Sequence, residues 1–294
     1  MKIFKNKIKF KYTTAFAFCV LVSQFSFAQK KLQFSIGTEL NYGQLSMENA
    51  NIEDNFLRPA IGGDFGVSYR LNPKFSLHTG IGFNVYKSQV RLNSYSSFQN
   101  TMDNTGEPFE FRYLLNNLLE KQKFTAISIP IAFQYETTGE VRFYSKIGIE
   151  ANLFVSQEFE TSLENITTTG YFPRFNATLD RPKFAGFGSF DKNQFSENDL
   201  EINNSYNATL ELGIKKLFKN KNSIYVGIFA KYGLNDVSKT NNNAGIVSFN
   251  AEDPTVFTAT SLLNAVDRQQ GATKTFSEAK FHVFGTAITY EFSF

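Results

Sequence analysis

Few side chains in this sequence could do covalent or acid-base chemistry. Its 294 residues include two histidines, one cysteine and no tryptophan. His78 and His282 lie in segments of alternating polarity that put the first on an inner face and the second on an outer face, near opposite ends, so they cannot share a site. A His-paired metal site, a Ser-His triad and a Cys nucleophile therefore all lack their parts. Glu158 with Glu160 or Asp236 is a carboxylate pair that could in principle act as acid and base, but at a strand end such charges are usually solvated. There is no phosphate-cradling glycine loop, dinucleotide fingerprint or basic patch. The reading is a chain that is not an enzyme, with no catalytic, cofactor or metal residues and no nucleic-acid partner.

The cysteine and the net charge of +3 belong to the first 28 residues. Lys2, Lys5, Lys7, Lys9 and Lys11 form a basic start without an acid, Tyr12 to Val22 is apolar, and Ser26, Phe27 and Ala28 end in the small residues that signal peptidase reads. Residues 1–28 are thus expected to be a signal peptide cleaved between Ala28 and Gln29, leaving 29–294 as a single domain. Lipidation at Cys19 is disfavoured by Phe16 and Phe18 before it. Removing five of the 30 basic residues leaves 25 against 27 acids, a charge of −2. Export without disulfides suits a bacterial envelope protein.

The elements that must position any site are strands. Leu32, Phe34, Ile36, Thr38, Leu40 and Tyr42 alternate with Gln33, Ser35, Gly37, Glu39, Asn41 and Gly43, a period of two. The pattern recurs over 60–70, 75–85, 124–136, 141–155, 206–216, 224–235 and 281–294. Segments of roughly 11 residues suit tilted strands crossing a bilayer. The connections run to about 15, 4, 37, 4, 50, 7 and 45 residues. Long and short links alternate, as in an outer-membrane barrel with short periplasmic turns and long outer loops. Phe34, Tyr69, Phe75, Tyr135, Phe143 and Phe292 fall near the short turns on the outer face, where an interfacial girdle belongs. The fold expected is all-β: an eight-stranded antiparallel transmembrane β-barrel in the bacterial cell outer membrane.

This register turns Glu39, Asp64, Glu136, Glu150, Glu211 and Glu291 inward with Arg70, Arg142, Lys146, Lys215 and Lys231. A barrel of eight strands has room inside for little more than its side chains, so the near-balanced set reads as an ion-pair plug. The inward glycines Gly37, Gly62, Gly66, Gly80, Gly82, Gly148, Gly213, Gly227 and Gly285 leave volume and keep a narrow channel as the alternative.

The last strand ends with Tyr290, Phe292 and Phe294 at alternate positions, which resembles the C-terminal signature read by the barrel-assembly machinery. Ile127 to Glu136, with Pro130 inside it, is similar to a strand of the PorT-like outer-membrane β-barrel family common in Bacteroidetes. Phe143 to Phe154 and Tyr225 to Val237 resemble that family's following and penultimate strands. Ser128 stands where the family usually has Glu, and the third and fourth loops are long for it. The resemblance implies a Gram-negative, porin-like barrel and, by analogy with some members, an envelope or secretion-machinery partner.

The outer loops hold the remaining candidates. Phe111, Leu114, Leu115, Leu118 and Leu119 have helical spacing and predict a short amphipathic helix packed on the barrel mouth. Tyr171, Phe172, Arg174, Phe175, Arg181, Lys183, Phe184, Phe187, Phe190 and Phe195 could stack on sugars or meet lipopolysaccharide phosphates, but read better as hairpins rising above the bilayer. Ile246 to Phe249 and Thr255 to Thr260 have strand-like composition, and Asn241 to Asn243 form a polar tip. The apolar residues, 42 % of the chain, are expected to cover the outside of a barrel whose inside is polar. Partners expected are outer-membrane lipid, lipopolysaccharide, the barrel-assembly machinery and an envelope protein met through the loops.

Overall fold

The computed structural model describes residues 31–47, 52–197, 200–240, 244–267, 273–274 and 278–293. The expected signal peptide and cleavage site at Ala28 and Gln29, the Asn241 to Asn243 tip and Phe294 lie outside them. The strands are β1 (Leu32–Met47), β2 (Ile52–Arg70), β3 (Phe75–Met102), β4 (Pro108–Glu136), β5 (Val141–Phe172), β6 (Ala177–Leu179), β7 (Gly188–Glu197), β8 (Ser205–Leu217), β9 (Ser223–Gly233), β10 (Val247–Ser248), β11 (Thr258–Ala259), β12 (Val266–Asp267), β13 (Thr273–Lys274) and β14 (Ala279–Ser293).

Eight of them close a ring: β1, β2, β3, β4, β5, β8, β9 and β14 pair antiparallel in that order, and β14 returns to β1 with Phe34 opposite Phe292. Closure leaves no backbone edge in hydrocarbon, where each unpaired group would cost several kcal/mol. The short turns have their own chemistry. Asn72 Oδ1 accepts from the N–H groups of Lys74 and Phe75, and Gly139 takes a φ of 123° that a side chain would resist. Around these turns the outward rings pack in pairs, Phe75 lying 5.3 Å from both Phe133 and Tyr135.

Three strands far exceed the span of a bilayer. β3, β4 and β5 run for 28, 29 and 32 residues and continue beyond the ring as a tall sheet, widened by β7 and β6 on the edge of β5. The aromatic hairpins expected in the third outer loop are thus present, and β10 pairs β11 within the stretches of strand-like composition in the fourth.

The expected helix is absent. Residues 108–136 are strand, with Phe111, Leu115 and Leu118 buried and Leu114 exposed. The helical spacing comes from a parity change. The inward side chains step by three residues from Leu115 to Leu118, from Leu92 to Tyr95 on β3 and from Leu163 to Ile166 on β5. These steps lie side by side, because pairing runs in unbroken register from Leu92 with Leu118 to Ser94 with Asn116, and from Asn116 with Asn165 to Leu119 with Ser162. Asn117 takes a φ of 50° at the step and donates its side-chain amide to Glu164. A strand with one such step puts apolar residues at intervals of four and three, which imitates a helix.

The interior is also not polar throughout. Leu45, Tyr86, Val90, Phe111, Leu115, Leu118, Ile166, Ile246, Leu262 and Phe281 belong to one buried cluster inside the upper ring and against the tall sheet. Much of the apolar content therefore builds an outer core as well as a lipid-facing surface. Composition cannot separate the two, because both place apolar residues at every second position. Among the described residues no helix is long and apolar enough to cross a membrane; the strands make the crossing.

Candidate functional site

The lumen is built in layers, because inward positions on neighbouring strands come level across the ring. At the end nearest the short turns, Glu136 on β4 meets Arg142 on β5, Lys215 on β8 at 3.1 Å and Arg70 on β2 at 3.6 Å. Lys215 also reaches Glu291 at 3.0 Å, and Tyr225 and Ser68 donate their hydroxyls to Glu291. In the next layer Lys146 pairs with Glu211 at 3.2 Å, and the Tyr144 hydroxyl donates to the same carboxylate at 2.6 Å. The Tyr144 ring lies over Gly213 and Gly227, where any Cβ would collide with it. Higher still, Lys231 sits between Glu39 at 2.9 Å and Glu150 at 3.0 Å.

Each of the five inward cations expected from the sequence is thus ion-paired, and of the six acids Asp64 alone makes no ion pair among the described residues. Lys215 and Lys231 are almost wholly buried. Charges in such surroundings are stable only when paired and hydrogen-bonded. Asp64 opens onto a cavity of about 110 Å³, lined also by Glu39, His78, Lys146, Glu211 and Lys231, polar and large enough for a few waters. A polar chain closes the layer above: Asn84 donates to Ser128 at 2.8 Å, Ser128 to Asn152 at 2.5 Å, and the Tyr86 hydroxyl to Asn152 at 3.2 Å.

Aromatic packing then takes over. Phe281 is surrounded by Phe124 at 5.0 Å, Phe154 at 5.5 Å and Tyr86 at 5.8 Å between ring centres. Higher up, Phe109 stacks on Phe172 at 4.9 Å and meets Phe187 and Phe249 edge-on. The segment Ser261 to Val266 of the fourth outer loop is buried in this core. It is latched by Glu120 on β4, which is fully buried and accepts from Ser261 Oγ at 2.7 Å, Leu262 N–H at 2.9 Å, Gln122 at 2.6 Å and Thr161 at 3.3 Å. Burial raises the Glu120 pKa above the ordinary carboxylate value, and those four donors pull it back. At the tip, Asp103 is exposed and held below its ordinary value by the Thr105 hydroxyl and neighbouring N–H groups.

The remaining candidates are dispersed. His78 faces the lumen with Nε2 2.9 Å from Ser76 Oγ, and His282 lies on the other face, its ring 4.6 Å from that of Tyr232. Glu158 pairs with Lys123 and Glu160 with Lys121 on the outer surface, whereas Asp236 accepts from the Ser238 and Ala279 N–H groups. The carboxylates are therefore engaged with different partners. Tyr290 and Phe292 pack edge-on at 4.8 Å, and the Tyr290 hydroxyl accepts from Asn222. Among the described residues no group of three or more His, Cys, Asp or Glu is placed to hold a metal ion. The Glu120 latch was missed in sequence, although Glu120, Gln122 and Phe124 alternate with Lys121 and Lys123 in a way that continues the inward face.

The sequence profile of the outer membrane protein beta-barrel domain matches residues 23–239. The chain belongs to this family. It is an outer-membrane barrel, and its lipid-facing belt and filled lumen are to be read in that setting. Its fold is similar to Neisserial surface protein A, at 9 % identity, TM-score 0.33 and coverage of 88 % of this chain and 97 % of that one. It is also similar to OprG of Pseudomonas aeruginosa, at 10 % identity, TM-score 0.35 and coverage of 90 % and 98 %. A third is Ail of Yersinia pestis, at 10 % identity, TM-score 0.32 and coverage of 89 % and 99 %. No curated protein matches the chain in sequence.

Proposed function

We propose that this outer-membrane barrel is a plugged anchor that presents its tall outer sheet to a protein of the envelope or of a secretion machine, and that it is neither a channel nor an enzyme. The observation that carries this reading is the filling of the interior. Charged layers with every cation paired lie below an aromatic seal, and a latched loop segment packs above it. A structure that spends three long strands and much of its aromatic content outside the membrane invests in an exposed surface. At the tip, Phe175 and Phe184 remain highly exposed, as anchors for a partner would be. A PorT-like role fits this picture.

The second reading is a narrow channel, favoured by the polar cavity beside Asp64. A photo-crosslinking residue at Phe184, compared with one at the lipid-facing Ile81, separates the two readings in intact cells. A discrete protein adduct specific to Phe184 is expected. Absence of any such adduct, together with steady conductance, would reverse the order.

A further inference from the structure

Outward side chains on β3 and β4 change abruptly where the lipid-facing belt ends. Phe83, Val85, Ile127 and Thr125 give way to Lys87 and Lys123, which are direct cross-strand partners. Like charges in that position repel unless an anion lies between or beside them. The same row continues to Glu158 on β5, giving two cations and one acid. Lys123 is satisfied by Glu158 at 3.2 Å, while Lys87 is exposed and has no carboxylate partner among the described residues.

Among the described side chains, β2 supplies none either. Pairing between β2 and β3 is interrupted between Leu57 with Ser88 and Gly62 with Asn84, and the exposed residues in the interruption are Pro59 and Ile61. Below the pair, Phe83 and Ile61 stand roughly 60 % exposed, an apolar wall of the kind an acyl chain covers. Elsewhere the belt ends on Tyr42, Tyr206 and Tyr232, and Lys280 already pairs with Glu278. Among these residues, the unbalanced cation lies on the face of β3 and β4.

We propose that Lys87 and Lys123 bind the phosphate of an anionic lipid of the outer leaflet, with its acyl chain against Phe83 and Ile61. The phosphate completes an alternation of lipid anion, Lys87, Lys123 and Glu158 around the rim. Lipid comes within reach by position alone, since the pair sits on the boundary of the belt.

The test uses the full barrel in nanodiscs and reads retained lipid by native mass spectrometry, with phosphatidylglycerol and phosphatidylcholine as probes and inorganic phosphate as competitor. The wild type should retain phosphatidylglycerol in preference, and Lys87→Gln and Lys123→Gln should each lower that preference about fivefold. Lys280→Gln should leave it unchanged. Heat-modifiable migration checks that each variant is folded, and should Lys123→Gln not fold, the exposed Lys87→Gln alone carries the comparison. An unchanged preference in folded Lys87→Gln overturns the proposal. So does displacement of the lipid by inorganic phosphate at equal concentration, which would make this a site for soluble anions.

Discussion

Lys215 shows what a single side chain does in this lumen. It lies between Glu136 and Glu291 with 1 % of its side chain exposed, so replacing it strands charge that water cannot reach. Lys215→Met should cost about 3 kcal/mol in urea unfolding followed by gel mobility, and adding Glu291→Gln should recover part of the loss. No loss from the single variant would mean that the layers are hydrated. Glu120 carries a different test. Because burial raises its pKa in the folded state, its contribution to seating the fourth loop is full below the ordinary carboxylate range and declines as pH rises through the raised value. Protease resistance of the outer sheet should therefore be higher at mildly acidic than at alkaline pH, and Glu120→Gln should flatten that slope. An equal slope in the variant would remove Glu120 from the account.

At the scale of elements, the membrane-level strands were legible in sequence because lipid on one side and polar layers on the other impose strict alternation. Among the positions their register turns inward, Lys146 pairs with Glu211, and Lys231 with Glu39 and Glu150, in the structure. The upper halves of β3, β4 and β5 were not legible. Above the bilayer the outer face meets water, the inner face meets other loops, and the parity step through Asn117 makes one strand look helical. That step gives a prediction for the element as a whole. Asn117→Val should destabilise the tall sheet by about 1–2 kcal/mol, since a β-branched side chain resists positive φ, whereas Asn117→Gly should be milder despite losing the Glu164 contact. Limited proteolysis between 93 and 170 reads the difference, and equal susceptibility of the two variants would show that the step is not locally constrained.

For the whole molecule, the proposed function rests on how the barrel is filled. A cavity of about 110 Å³ lies beside Asp64, the aromatic rings around Phe281 pack above it, and a segment of the fourth loop is buried in the outer core. The sequence led to an expectation of inward charges and held no sign of the apolar core above them, because nothing in a loop's composition says which side of a strand it will cover. The proposed role is that a barrel filled in this way holds its outer surface in place and passes no solute. The most direct test is planar-bilayer recording of the purified wild-type protein. Silence at voltages where open porins conduct is the result this structure predicts, and discrete, steady single-channel conductance would contradict it.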